Sequence, residues 1–282
     1  MSTIRYLMCP PDYFQIDWAI NPYMHLEDRV DETHAKQQYE QLVAKHTELG
    51  HELEFMPAQP GLADLIFTAN GALVIGDKVM LGHPRPNERK PEIPFFKQAL
   101  QQLGYTHIET APYDFSGQGD ALPVGNRLIF MGNSWRTDPR MQQVLEQYFD
   151  RDVVSLATIR DLDLPADAEP NSRFYDIDIA MSVLGPNTIA YCPEAFELES
   201  RNRLEQVIKQ YALIAYPIPL SEALKGAMNL ITDGVAAMRP LVDAPVLAAA
   251  IKNANLIDHQ VDISELWKAG GGVRCTTLNI FS

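Results

Sequence analysis

Apolar residues recur along this chain with two spacings that alternate in a fixed order. Short apolar or β-branched runs, such as residues 4–9 (Ile-Arg-Tyr-Leu-Met-Cys), 73–75 and 78–81, have the character of buried strands. Residues 33–49, 91–103, 138–149, 200–211 and 244–253 predict helices, the first two ending at Gly50 and Gly104, where glycine commonly closes a helix. After each helix comes a strand, at 51–56, 107–110, 153–156, 212–216 and 260–263. Hairpins follow: 73–75 with 78–81, 121–124 with 127–131, 177–184 with 188–191, and 229–231 with 234–238. Glycine-containing turns connect the first three. Short helices are predicted at 221–224 and 264–267.

The pattern is a unit of helix, strand and hairpin that occurs five times, with a period of roughly 45–60 residues. The fifth unit has a glycine loop and a closing strand at 276–281, and residues 4–9 supply the strand it lacks, so the repeat closes into a ring. Length alone suggests about two domains; the repeat makes residues 1–282 a single domain instead. In such a ring the loops leading into the hairpins, 62–70, 114–120, 171–178, 226–229 and 268–275, share a central pocket. The alternative is an ordinary mixed α/β fold whose hairpins merely look alike.

Composition adds exclusions. With 46% hydrophobic and 21% charged residues the chain is an ordinary globular sequence. Its net charge of -14 excludes general nucleic-acid and anionic-membrane binding, which need basic surface, and is compatible with a cationic small-molecule substrate. Three cysteines, Cys9, Cys192 and Cys275, do not make a disulfide framework. Residues 1–11 lack the apolar core and cleavage site expected of a signal peptide, and no apolar run approaches the roughly 20 residues of a membrane span. A cytoplasmic protein is expected, with a homo-oligomer as the common default. His46 and His51 flank a predicted helix end without a cysteine pair, so they read as structural rather than as metal ligands. Gly270-Gly271-Gly272 lacks the Gly-Lys-Ser/Thr ending of a phosphate loop. No metal or other cofactor is called for.

The pocket loops hold the unusual chemistry. Cys275 follows three glycines, which places a thiol where backbone can approach a ligand closely; a lone cysteine is also among the most commonly buried residues. The other loops carry Asp64 and Phe67-Thr68-Ala69-Asn70, then Ser116-Gly117-Gln118-Gly119-Asp120, then Tyr175-Asp176-Ile177-Asp178. Together with Met8-Cys9-Pro10-Pro11-Asp12-Tyr13, Ile20-Asn21-Pro22, Gly119-Asp120-Ala121-Leu122 and Ala269-Gly270-Gly271, these segments resemble the pentein superfamily of guanidino-group-modifying enzymes. The likeness is to its arginine dihydrolase, arginine deiminase and dimethylarginine dimethylaminohydrolase branch. The resemblance implies a five-bladed α/β propeller. It makes Cys275 the nucleophile that attacks a guanidinium carbon, and gives Asp120 and Asp178 the guanidinium nitrogens. Asn70 stands where the dihydrolases have asparagine. Asn21 and Asp64 line the pocket or meet the amino-acid end of the substrate. Arg89 and Arg136 become candidates for gripping a substrate carboxylate, the other reading of Arg89 being a surface ion pair.

Two positions depart from the family pattern. Asp176 stands where active members have the catalytic histidine of a His-x-Asp pattern, and Ser116 stands where they have a glutamate. A carboxylate in place of an imidazolium opposes thiolate formation, and general acid–base help is commonly worth about 10²–10⁴-fold. A cationic guanidinium can restore the thiolate by its own charge, with Asp176 as the base. Neither His25, near Asn21, nor His83, at the start of the 83–89 loop, lies in a pocket loop. The expected activity is cysteine-dependent hydrolysis of a guanidino or ureido C–N bond in arginine or an arginine-like molecule. The alternatives are amidino transfer to a changed substrate and a non-catalytic ligand-binding pentein.

Overall fold

In the computed structural model, residues 4–161 and 171–280 are described. Phe281, at the end of the predicted closing strand, lies outside them. The chain divides into two compact units, Met1–Gly119 with Val261–Ser282, and Asp120–Gln260.

In the first unit, Arg5–Met8 runs parallel to Glu52–Phe55 and antiparallel to Leu278–Asn279, so strands from the two ends of the sequence share one sheet. A second sheet places Lys78–Leu81 between its hairpin partner Ala72–Ile75 and the parallel strand His107–Thr110. Parallel neighbours need a crossover. The helix Glu32–Glu48 supplies it in the first sheet and Ile93–Gln102 in the second. The Asp31 side chain caps the first of these helices by accepting from the His34 amide at 3.0 Å. Leu7, Met56, Leu65, Val74, Leu81, Phe96, Leu100 and Leu278 form the apolar core between the sheets and the second helix.

The second unit repeats the arrangement. Leu128–Gly132 lies between antiparallel Ala121–Val124 and parallel Asp152–Leu156, and Thr188–Tyr191 lies between antiparallel Met181–Gly185 and parallel Ile214–Pro217. A further sheet orders Ile231–Thr232, Ala236–Pro240 and Ile257–Val261. The helices Met141–Phe149, Leu198–Gln210 and Pro245–Asn253 are the crossovers. Among the described residues there are thus five three-stranded sheets of one repeating kind in a mixed α/β fold.

Several predicted boundaries move for local reasons. The hairpin strand expected from 177 begins only at Met181, because Ile177–Ile179 forms a 3-10 turn and the Ile177 amide is taken by the Asp120 carboxylate. Thr276 and Thr277 are not strand. Their hydroxyls donate to the Val273 carbonyl at 2.9 and 3.0 Å, which holds them in a turn before Leu278–Asn279. The helix expected from 138 starts at Met141, since the Asp138 carboxylate accepts the Arg140 amide in a turn of its own. The strand after the fifth helix spans Ile257–Val261 rather than 260–263. No helix of the described residues is long and apolar enough to cross a membrane.

Candidate active site

Cys275 stands at the foot of the glycine loop and is 2% exposed. The loop lies flat against Phe67: a Cβ added at Gly271 would sit 2.0 Å from a Phe67 ring carbon, and Gly270 has a φ of 82°. Asn21 fixes the loop from the other side, donating through Nδ2 to the Ala269 carbonyl at 3.0 Å while its Oδ1 accepts from the Tyr23 amide. The Cys275 carbonyl accepts from the Ala69 amide at 3.0 Å, which ties the thiol-bearing residue to the turn that ends at Asn70.

Asn70 is the centre of a buried hydrogen-bonded chain. Arg89 Nη1 donates to Asn70 Oδ1 at 2.7 Å, and Asn70 Nδ2 donates to Ser116 Oγ at 2.9 Å and to the Ser116 carbonyl at 3.2 Å. Because a guanidinium can only donate, the amide must turn its oxygen to Arg89 and its nitrogen to Ser116. Ser116 Oγ is therefore an acceptor towards Asn70, and its own proton points elsewhere. Arg89 in turn holds Glu92, with Nη2 to Oε2 at 2.8 Å and Nε to Oε1 at 3.0 Å, and it also donates to the Asp64 carbonyl. Arg89 is 3% exposed, so its ion pair is a buried one and not the surface pair weighed from the sequence. Asp64 is buried and accepts from Trp18 Nε1 at 2.8 Å.

In the second unit, Asp120, Asp176 and Asp178 are all buried, as is Arg136. Asp120 accepts from the Thr137 hydroxyl at 2.7 Å and from the Ile177 amide at 2.9 Å. Gly132 makes room for it, since a Cβ there would lie 2.1 Å from Asp120 Oδ1. Arg136 Nη1 donates to Asp176 Oδ2 at 3.2 Å, and its guanidinium stacks on the Tyr175 ring 4.0 Å from the centroid. Burial, then the charge of Asp176, and less strongly that of Asp178, push the Asp120 carboxyl well above its ordinary range; the bonds from Thr137 and Ile177 only partly oppose this. The three aspartates thus lie within electrostatic reach of one another, and Arg136 pairs with Asp176.

The remaining histidines and cysteines separate from these clusters. His25 is exposed, and the His83 ring lies 3.1 Å from the Ala111 carbonyl. His46 and His51 place their Nδ1 atoms 2.9 Å apart and both meet the edge or face of Tyr6. Burial and the neighbouring His51 lower His46 to about 3, which suits a structural pair. Burial pushes Cys9 and Cys192 up to about 12, with carboxylates adding to it, so both are inert packing thiols. Sequence reasoning missed Glu92, Thr137 and Trp18. Glu92 lies three residues past Arg89 and Thr137 adjoins Arg136, so both had a local signal. Trp18 is 46 residues from Asp64 and had none.

Residues 10–282 match the family described as N,N dimethylarginine dimethylhydrolase, eukaryotic. The chain belongs to this family, within the pentein superfamily. It is 33% identical over 278 residues to the N(G),N(G)-dimethylarginine dimethylaminohydrolase of Mycobacterium tuberculosis, covering 99% of this chain and 86% of that one. Among solved structures, the product-bound N-terminal domain of ArgZ, a cyanobacterial arginine dihydrolase, is similar over 100% of this chain and 98% of that domain, with 28% identity and a TM-score of 0.89. An asparagine-to-serine variant of the same ArgZ domain, covalently bonded to a reaction intermediate, is 27% identical over 99% of this chain and 98% of that domain, with a TM-score of 0.88.

Proposed function

We propose that this pentein is a cysteine-dependent hydrolase of an arginine-like guanidino compound. The observation that carries the reading is the placement of Cys275, buried at the foot of a glycine loop and tied to the Asn70 turn, in a chain whose solved relative forms a covalent intermediate. We further read the five matching sheets as the blades of one five-bladed α/β propeller, a single domain over residues 1–282. The repeated sheet order and the full-length match to the ArgZ domain support this. A cytoplasmic location is consistent with Cys9, Cys192 and Cys275 standing as thiols.

In this reading Asp120 and Asp178 hold the guanidinium nitrogens, and the cation they bind favours the Cys275 thiolate. Asp176 takes the thiol proton. Sulfur attacks the guanidinium carbon, a C–S bond forms, and one C–N bond breaks as the departing nitrogen takes the proton from Asp176. Ammonia or an amine leaves, and an S-linked amidinium remains on Cys275. Water then adds to the same carbon and gives its proton to Asp176. The C–S bond breaks, sulfur recovers the proton, and the ureido product leaves. Each turnover converts one guanidinium and one water into one ureido group and one ammonium or alkylammonium ion. Asn70, with its nitrogen turned to Ser116, positions this wall of the site, and Arg136 holds Asp176 in place.

The test is ammonia and amine release from L-arginine, methylated arginines, agmatine and citrulline by pure protein. We expect turnover of at least one guanidine, lost in Cys275→Ser. The substitution of Asp176 and Ser116 for the usual histidine and glutamate favours a second reading, a ligand-binding pentein without turnover. A guanidine that raises the melting temperature equally in wild type and Cys275→Ala, with no product formed, would select it.

A further inference from the structure

Resting on the guanidine-hydrolase reading, we infer that Arg89 is a positioning residue and not a clamp for a substrate carboxylate. It acts on the reaction by fixing the Asn70 amide and, through that amide, the Ser116 hydroxyl. Arg89, Glu92, Asn70, Ser116 and Cys275 all belong to the first compact unit, so the device is complete within it.

All three guanidinium nitrogens of Arg89 are engaged by the chain itself. Nε and Nη2 donate to the Glu92 carboxylate at 3.0 and 2.8 Å, and Nη1 donates to Asn70 Oδ1 at 2.7 Å. Nη2 also donates to the Asp64 and Phe67 carbonyls at 3.1 and 3.4 Å. Arg89 and Glu92 are buried and share one 3-10 turn, Asn87–Glu92, so their pairing is built in locally. Redirecting the guanidinium to a ligand would open this buried ion pair, which is strongly unfavourable, and would let go of the Asn70 oxygen. A guanidinium held in this way supports the site.

What it supports is a direction of hydrogen bonding. A guanidinium only donates, whereas an amide accepts at its oxygen and donates at its nitrogen. The bond from Arg89 therefore turns Asn70 Oδ1 to itself and Nδ2 to Ser116, where Nδ2 donates to Oγ at 2.9 Å and to the carbonyl at 3.2 Å. Removing Arg89 takes away the bond that selects this orientation. The effect reaches the nucleophile through backbone. The Ala69 amide, adjoining Asn70, donates to the Cys275 carbonyl at 3.0 Å. Gly117, adjoining Ser116, lies flat on the same turn, and a Cβ there would stand 2.6 Å from the Ala69 carbonyl. Preorganisation beside a nucleophile is felt in the chemical step.

The test is a double-mutant cycle on the full-length protein with L-arginine, N(G),N(G)-dimethylarginine and agmatine, the last lacking a carboxylate. Arg89→Lys keeps a cation opposite Glu92 but has a single nitrogen for both partners. We expect it to lower kcat at least about tenfold, alike for substrates with and without the carboxylate. Dissociation constants, read by calorimetry in the Cys275→Ser background, should change less than about threefold. In an Asn70→Ala background the same substitution should lower kcat by less than about twofold more, because it acts through Asn70. Should Arg89→Lys melt below the assay temperature, Arg89→Gln with Glu92→Gln, which removes both charges together, takes its place in the cycle. A loss confined to the carboxylate-bearing substrates and seen in their dissociation constants would make Arg89 a clamp. Unchanged kcat, or full additivity with Asn70→Ala, would make it merely structural. Either result overturns this inference and leaves the guanidine-hydrolase reading intact. Turnover of none of the three by the wild type would overturn that reading, and this inference with it.

Discussion

The Asn70 network and the Asp120 cluster manage buried charge in opposite ways. Around Asn70 the charges balance: Arg89 meets Glu92, and the amide passes that order on to Ser116 through bonds of 2.7 to 3.2 Å. Around Asp120 the carboxylates crowd one another: Arg136 pairs with Asp176, while burial and the charges of Asp176 and Asp178 drive the Asp120 carboxyl towards its neutral form. A balanced network keeps its geometry without a ligand. A crowded one is costly to keep ionised, and in the proposed reading a bound guanidinium lowers that cost. In that reading the first region serves stability and the second recognition.

The largest expected effect belongs to neither network. Cys275→Ala should reduce turnover by at least about 10³-fold while shifting the melting temperature little, because it removes the nucleophile and only one buried atom; steady-state assays and thermal melts on one preparation check both halves. The contrast itself is broken or upheld by a pair of variants. Glu92→Ala leaves the Arg89 guanidinium buried without its partner, and chemical denaturation should show a loss of about 3–5 kcal/mol. Asp120→Asn removes a charge that is already disfavoured, and the Thr137 hydroxyl can rotate to accept from the new amide, so stability at pH 7 should change by less than about 1 kcal/mol. Guanidine binding should nevertheless weaken at least tenfold. Equal destabilisation by the two variants would erase the distinction.

Gly271→Ala should cost about 1–3 kcal/mol by forcing the glycine loop off the Phe67 ring, and activity should fall with it. The smallest signals are in the pH dependence. His46 titrates lower in the folded state, at about 3 against an ordinary 6.5. Its contribution to stability is therefore present above pH 6.5 and lost as the pH falls from there towards about 3. Asp120 titrates higher in the folded state, so its contribution has the opposite sign, present below about 3.8 and lost as the pH rises through its elevated value. Denaturation profiles should show each as a slope of up to about 1.4 kcal/mol per pH unit. His46→Leu should flatten the acidic limb, and Asp120→Asn should flatten the other.

Much of the fold was legible because local chemistry fixes it. Strands 78–81, 107–110, 121–124 and 188–191 fall where the alternation places them, with glycine turns setting the hairpins. The misplacements arise where a side chain captures backbone. Thr276 and Thr277 have strong strand propensity, yet their hydroxyls hold a turn, and Ile177 gives its amide to a carboxylate 57 residues earlier in the chain. Site residues were legible as types and not as partners. Nothing in the sequence distinguishes an Arg89 directed at a ligand from one enclosed by Glu92 and Asn70, because that depends on how a 3-10 turn at Asn87–Glu92 packs under the Asn70 loop. The pairing of Arg136 with Asp176, 40 residues apart, depends on tertiary structure in the same way.

Covalent chemistry at one sulfur is the central claim, and quenched mass spectrometry tests it most directly. Wild-type protein mixed with a guanidine substrate, acid-quenched within the first turnovers and digested, should carry an amidino-derived mass on the peptide containing Cys275, with Cys9 and Cys192 unmodified. Turnover that persists in Cys275→Ser, or that proceeds in the wild type without any Cys275 adduct in rapid-quench sampling, would contradict it.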